Sequence, residues 1–128
     1  MAEYIRRLPD SELEIMKIIW DAGGRVTSVQ VLDRLRNKRD WKTTSVLTFL
    51  SRLADKGFLS VERQGKTNIY QALVDEQDYL EKESKSFLEK LCGNSLKTFV
   101  ASLYDGKAIS ENDLRELRQY INEKTKEG

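Results

Sequence analysis

The chain has 128 residues, of which 39% are hydrophobic and 34% charged, with one cysteine, no histidine and a net charge of +1. That length suits one domain, or one small domain with an appendage, and no apolar run approaches the roughly 18 residues that would span a bilayer. Without histidine the commonest general base and the main zinc ligand are missing, and the single Cys92 fits a reducing cytoplasm, so no catalytic site, metal or cofactor is expected.

The first helix opens at Pro9-Asp10-Ser11. Ser11 and Glu14 have the spacing of a capping box, and Leu13, Met16, Ile19 and Trp20 recur on one face. Gly23-Gly24 ends it. Thr27 with Gln30 is a second capping-box pair, opening a short helix through about Asn37 whose apolar face reads as Val29, Leu32 and Leu35. After the basic connector NKRD, Thr43 or Thr44 is expected to cap a third helix that stops at Gly57. The period then changes. FLSVERQ, a turn at GKTN and IYQALV read as a β-hairpin. Three helices and then a ribbon with a basic tip is the winged-helix order.

From about Asp75 the pattern is helical again. Tyr79, Leu80, Phe87, Leu88 and Leu91 ride a helix to Cys92. Leu96, Phe99, Val100, Leu103 and Tyr104 follow at helical spacing. After Gly106, Ser110 with Asp113 opens a last helix carrying Leu114, Leu117 and Ile121. About 50 residues of short helix bury little by themselves, so these stripes call for a neighbour. A second copy is the expected one, because dyad DNA sites call for symmetric dimers. The fold class is therefore mainly α with a small β-hairpin wing. An N-terminal winged helix-turn-helix over residues 1–74 joins a three-helix dimerisation region over residues 75–128.

Charge divides along the same line. Residues 1–74 hold 13 Lys/Arg against 9 Asp/Glu, and residues 75–128 hold 9 against 12. Within 34–66 the count is 9 basic to 3 acidic, the footprint of a nucleic-acid module. At 100° per residue the third helix turns Val46, Phe49, Leu50 and Leu53 to the core. Thr44, Thr48, Ser51 and Asp55 lie opposite, flanked by Ser45 and Arg52 on one side and Leu47 on the other. Small hydroxyls let a backbone approach a groove floor and can bond phosphates or base edges. Arg52 suits a phosphate and Leu47 a thymine methyl. Lys38, Arg39 and Lys42 ahead of the helix, and Arg63, Lys66 and Asn68 on the wing, suit the DNA backbone. The alternative is a winged helix used as a protein-interaction module without DNA binding. The near-zero total charge fits that alternative, and the basic window does not.

Four stretches in order, SELEIMKIIW, TSVQVLDRL, WKTTSVLTFLSRLADKGFLSVER and NIYQAL, together with FLEKLCGNSLKTFV in the tail, resemble the penicillinase-repressor family. The resemblance implies a cytoplasmic, dimeric transcriptional repressor. Its winged helix would read a double-stranded dyad operator with TACA/TGTA half-sites, and its C-terminal helices would dimerise. It further implies control of β-lactam resistance genes, with derepression by cleavage under a membrane sensor protease. Thr43 begins the helix that the family uses for recognition, the resemblance puts Thr44, Ser45 and Thr48 on its groove-facing positions, and Arg52 matches the Arg of its Arg-Leu pair, which would hold phosphate. Leu47 departs from the Arg of many members. The family's Asn–Phe cleavage bond aligns with Ser102-Leu103. The copper-responsive branch has a cysteine cluster where this chain has only Cys92.

Overall fold

The computed structural model describes residues 6–36 and 38–126. The elements run α1 (Asp10–Asp21), β1 (Arg25–Thr27), α2 (Ser28–Leu35), α3 (Thr43–Asp55), β2 (Leu59–Gln64), β3 (Thr67–Ala72), α4 (Glu76–Cys92), α5 (Leu96–Asp105) and α6 (Glu111–Thr125). Two compact units result, one ending at Glu83 and the other starting at Ser84.

In the first unit, β2 and β3 form the expected hairpin with strand partners from Leu59↔Ala72 to Gln64↔Thr67. Gly65-Lys66 is left as a two-residue connection, and Gly65 takes φ +62°, as the first central position of a type II′ turn requires. A third strand, β1, lies antiparallel on the other side of β3, giving the order β1-β3-β2. Only three residues long, β1 carries too little alternation to be read from sequence.

The core gathers Ile15, Met16, Ile18 and Ile19 of α1, Val31 and Leu35 of α2, and Val46, Leu50 and Leu53 of α3. Against them lie Val26, Leu59 and Tyr70 of the sheet, with Phe58, Val74 and Tyr79. Tyr79 sits in α4, yet its hydroxyl accepts from the Leu8 N–H at 3.0 Å and its ring meets Trp20 and Phe58 at 5.9 and 5.8 Å. Burial, the largest cause, pushes the Tyr79 phenol up. Trp20 donates its indole N–H to the Val74 carbonyl at 2.9 Å, which ties the end of the sheet to α1.

Helix ends follow the sequence in part. The Thr27–Gln30 capping box forms, with bonds of 3.2 and 2.8 Å. Ser110–Asp113 forms another. The Ser11–Glu14 box does not: α1 begins at Asp10 after Pro9, with no side-chain cap, and Glu14 turns to Arg39 instead. Nor does Thr43 or Thr44 cap α3. Lys42 holds that place without a side-chain bond, and both threonines lie inside the helix. The apolar face of α2 is also rotated. Val29 is 58% exposed while Val31 is fully buried. Helix spacing allows either phase, and β1, joined directly to α2, selects one. The helix ends at Leu35, and the expected end at Asn37 lies outside the described residues.

At the end of α3 the chain closes in a Schellman turn. Gly57 at φ +84° donates to the Ala54 carbonyl, and Phe58 N–H reaches Leu53 at 2.9 Å. Lys56 at this cap extends to Glu12 of α1, 2.5 Å away. Glu12 is only 2% exposed, so its charge is removed from water and answered by one partner.

In the second unit no described residue is buried. Phe87 and Phe99 meet edge to face at 5.4 Å, and Ser95 caps α5 through the Thr98 N–H. Among the described residues no helix is long and apolar enough to cross a membrane.

Removing one member of a buried ion pair strands the other. Lys56→Met is therefore expected to destabilise the first unit by about 3 kcal/mol, read as a lower urea midpoint. Changing Glu12→Leu together with Lys56→Met should recover most of the loss. A single variant as stable as the parent would show that the pair does not hold α3.

Candidate nucleic-acid interface

Helix α3 carries two faces of different chemistry. Val46, Leu50 and Leu53 are fully buried, and Phe49 is half-buried against Trp41 at 5.4 Å. On the other side Thr43, Thr44, Leu47, Thr48, Ser51 and Arg52 are exposed, and Ser45 is half-buried between the faces. Leu47 is 41% exposed, a leucine left in water on the same face as the hydroxyls. Thr48 Oγ1 donates to the Thr44 carbonyl at 2.9 Å. Its proton is spent inside the helix, so the oxygen faces outward as an acceptor. Because no side chain caps α3, the first-turn N–H groups remain open donors, suited to an anion.

The cations around α3 fall into two groups. Arg36 pairs with Asp33 at 2.9 Å, Lys56 with Glu12 and Arg39 with Glu14 at 2.8 Å. The Glu14 hydrogen bond, and then its charge, raise the Arg39 pKa above its ordinary value. Arg63 donates from Nε to the Gly65 carbonyl at 3.1 Å, which folds it back on the wing's own turn. Lys38, Lys42, Arg52 and Lys66 are exposed, and no ion pair engages them among the described residues. Arg34 on α2 joins this unpaired set. Arg34 opens the basic 34–66 window, but its place on α2, away from the connector, α3 and the wing, gave no local signal for DNA contact.

The wing's register adds direction. Arg63 pairs with Asn68, and period-2 alternation sets both on the face that carries Leu59, Val61 and Tyr70, two of which reach the core. That face turns toward α3. Lys66 stands at the turn itself. On the reverse face, Arg25 bonds Gln71 at 3.0 Å and Glu62 at 3.4 Å, crossing all three strands and bracing the ribbon.

The residues expected to dimerise lie as follows. Phe87, Phe99, Val100, Leu103, Leu114 and Leu117 are half-buried, while Leu91, Leu96 and Ile121 are exposed, all in the second unit. Leu80 is 53% exposed in the first unit. Tyr104, on the expected α5 stripe, and Tyr120, not singled out from the sequence, add to the exposed apolar surface. Ser102 and Leu103 lie within α5, where Ser102 Oγ donates to the Thr98 carbonyl at 2.8 Å. Among the described residues no cluster of three His, Cys, Asp or Glu could hold a metal ion.

Residues 8–123 match the family model described as penicillinase repressor. The chain is 36% identical over 124 residues to an uncharacterized 16.5 kDa protein of Latilactobacillus sakei, spanning 97% of this chain and 84% of that one. It is 31% identical over 119 residues to a penicillinase repressor of Bacillus licheniformis, spanning 93% and 92%. The solution structure of the monomeric form of B. licheniformis BlaI in complex with the blaP half-operator resembles it with a TM-score of 0.51 at 33% identity, covering 59% of this chain and 92% of that one.

An unpaired Arg52 beside hydroxyls is expected to act on the phosphate backbone. Arg52→Ala should weaken binding to every duplex alike and lower the slope of log K against log salt by about one. Thr48→Ala should cost less and alter sequence preference. Anisotropy titrations at two salt concentrations separate the two, and variants that both bind like the parent would take α3 out of the interface.

Proposed function

This chain belongs to the penicillinase repressor family, and from that premise we propose that it reads a dyad operator as a homodimer, with α3 in the major groove and the β2–β3 wing beside it. It is a DNA-binding transcriptional repressor and not an enzyme. The observation that carries the reading is the exposed face of α3. Thr44, Thr48 and Ser51 offer short polar groups with little bulk, and Leu47 offers an apolar contact for a thymine methyl. Unpaired Arg52, Lys38, Lys42 and Lys66 would release counterions from the phosphates they approach. Leu47 cannot make the two-pronged contact to guanine that an arginine makes there, so base preference at that position would rest on shape and the methyl group.

Dimerisation would use the apolar stripes of α4, α5 and α6. Two copies would set half-sites about 10 bp apart, centre to centre. The regulated genes are those of β-lactam resistance, in keeping with the penicillinase repressor of B. licheniformis. The site of action is the cytoplasm. Release from the operator would follow cleavage near Ser102-Leu103 by a membrane sensor protease. That pair differs from the family's Asn–Phe bond, so the protease would need a different side-chain preference.

A duplex with a TACA–TGTA dyad should bind far better than a scrambled one, and the preference should weaken as salt rises. Equal binding to both would sink the operator assignment. Phe99→Asp places a charge in the stripe and should split the dimer. Operator affinity should then fall by about 100-fold as bivalent binding is lost, with the first unit still folded. An unchanged sedimentation profile would contradict pairing through α5.

A further inference from the structure

Arg39 stands apart from the other cations that lead into α3. Lys38 and Lys42 are exposed and unpaired among the described residues. Arg39 is held from several directions. Its Nε lies 3.0 and 2.8 Å from the two carboxylate oxygens of Glu14 on α1. Its guanidinium carbon lies 5.8 Å from the centroid of the Trp41 ring. Its backbone N–H, like that of Lys38, bonds the Leu35 carbonyl at 2.8 Å. Trp41 in turn meets Phe49 of α3 edge to face at 5.4 Å. A continuous path of contacts thus runs from α1 through Glu14, Arg39 and Trp41 to α3. The two lysines stand on either side of that path, one residue from Arg39 and one from Trp41.

We propose that Arg39 is a positioning residue for DNA binding, which uses Glu14 and Trp41 to fix the approach to α3 so that Lys38 and Lys42 meet backbone phosphates. The inference rests on the DNA-binding reading above and deepens it. Glu14 neutralises the Arg39 charge, so this side chain adds little attraction of its own for phosphate. What it supplies is geometry. The planar guanidinium can meet a carboxylate with its edge and an aromatic ring with its face at the same time. A lysine could do neither as well. The carboxylate on α1 serves the same end: two unpaired lysines on a loose segment would pay ordering entropy each time DNA binds, and the anchored segment has it settled beforehand.

Glu14→Gln gives opposite signs for the two roles Arg39 could play. If Arg39 positions the lysines, losing the carboxylate weakens operator binding by about 3- to 10-fold and flattens the salt slope, although a negative charge has been removed from a protein that binds an anion. If Arg39 clamps a phosphate, Glu14→Gln frees it, so affinity rises and the slope steepens by about one. That result, or unchanged affinity and slope, overturns the proposal. The pair lies at the surface, so the core stays intact, and a thermal melt matching the parent's verifies it. Two further measurements bear on the mechanism. In a Lys38→Ala, Lys42→Ala background the Glu14→Gln effect should vanish, whereas an additive effect overturns positioning. Arg39→Lys should weaken binding despite keeping the charge. A parent protein that binds neither dyad nor scrambled duplex defeats the DNA reading itself, and this proposal with it. A parent that binds beside a Glu14→Gln variant that binds equally well defeats only the proposal.

Discussion

The first unit depends on how α3 is fixed to α1, and two carboxylates two residues apart on α1 do much of the fixing. Side chains at i and i+2 of a helix point to different faces. Glu12 therefore turns inward, 2% exposed, to Lys56 at the C-terminal cap of α3. Glu14 turns outward to Arg39, ahead of the same helix. The inner pair contributes little net stability, because desolvating both ions offsets most of their attraction. It contributes position. A small shift of α3 along α1 would leave Glu12 buried without its ammonium, a state costing several kcal/mol. A helix that reads DNA must present its residues in register with base edges, and if α3 does so as proposed, this ion pair would help to hold it from inside the protein.

With α3 placed, the cations near it acquire distinct roles that no charge count reveals. The 34–66 window is strongly basic. Three of its nine cations are taken up by Asp33, Glu14 and Glu12, and Arg63 is turned to a carbonyl of its own wing. Among the described residues no ion pair engages Arg34, Lys38, Lys42, Arg52 or Lys66, and all five are exposed. The unpaired set borders α3, α2 and the wing tip, the three surfaces that a helix-in-groove reader brings to a duplex. Engaging four of the nine basic residues in the fold leaves the other five pointed outward.

Much of this was legible in the sequence, and the misses share a cause. Strong periodicity over a long segment gave α1, α3 and the β2–β3 hairpin, and the 100° rotation sorted Val46, Leu50 and Leu53 from Thr44, Thr48 and Ser51. Gly57 marked the end of α3 because only a residue at ease with φ +84° closes that turn. The failures lie where a local pattern had to compete with a distant partner. Ser11 and Glu14 have the spacing of a capping box, yet Glu14 goes to Arg39, 25 residues away. Val29 has the right spacing for the α2 core face, but β1 rotates the helix to bury Val31. Tyr79 has the pattern of a tail helix, yet it packs on Trp20 and Phe58, because a large ring finds its cover where the sheet ends. Nothing in the local sequence separates Arg39 from Lys38, since the difference lies in what α1 offers opposite each.

The second unit raises the opposite question, how a segment with regular apolar stripes can bury none of its described residues. Each exposed leucine or aromatic ring forgoes about 25 cal/mol for every Å² left in water. Leu91 at 69% and Leu96 at 56% exposure make α4 and α5 poor choices for a segment meant to stay single. A second copy would cover these stripes, and the same act would tie two DNA-reading units together. Bivalent binding to a dyad exceeds either half by a factor of about 10² to 10⁴ without any new DNA contact. Affinity for the operator would then be governed from residues that never touch it. A bond such as Ser102-Leu103 is shielded while α5 stays wound, since a protease takes its substrate extended and the helix must open locally first. Pairing would stabilise that helix, so a cut there would fall most readily on unpaired chains and would drain the dimer by mass action, leaving α3 and its charges unaltered but monovalent.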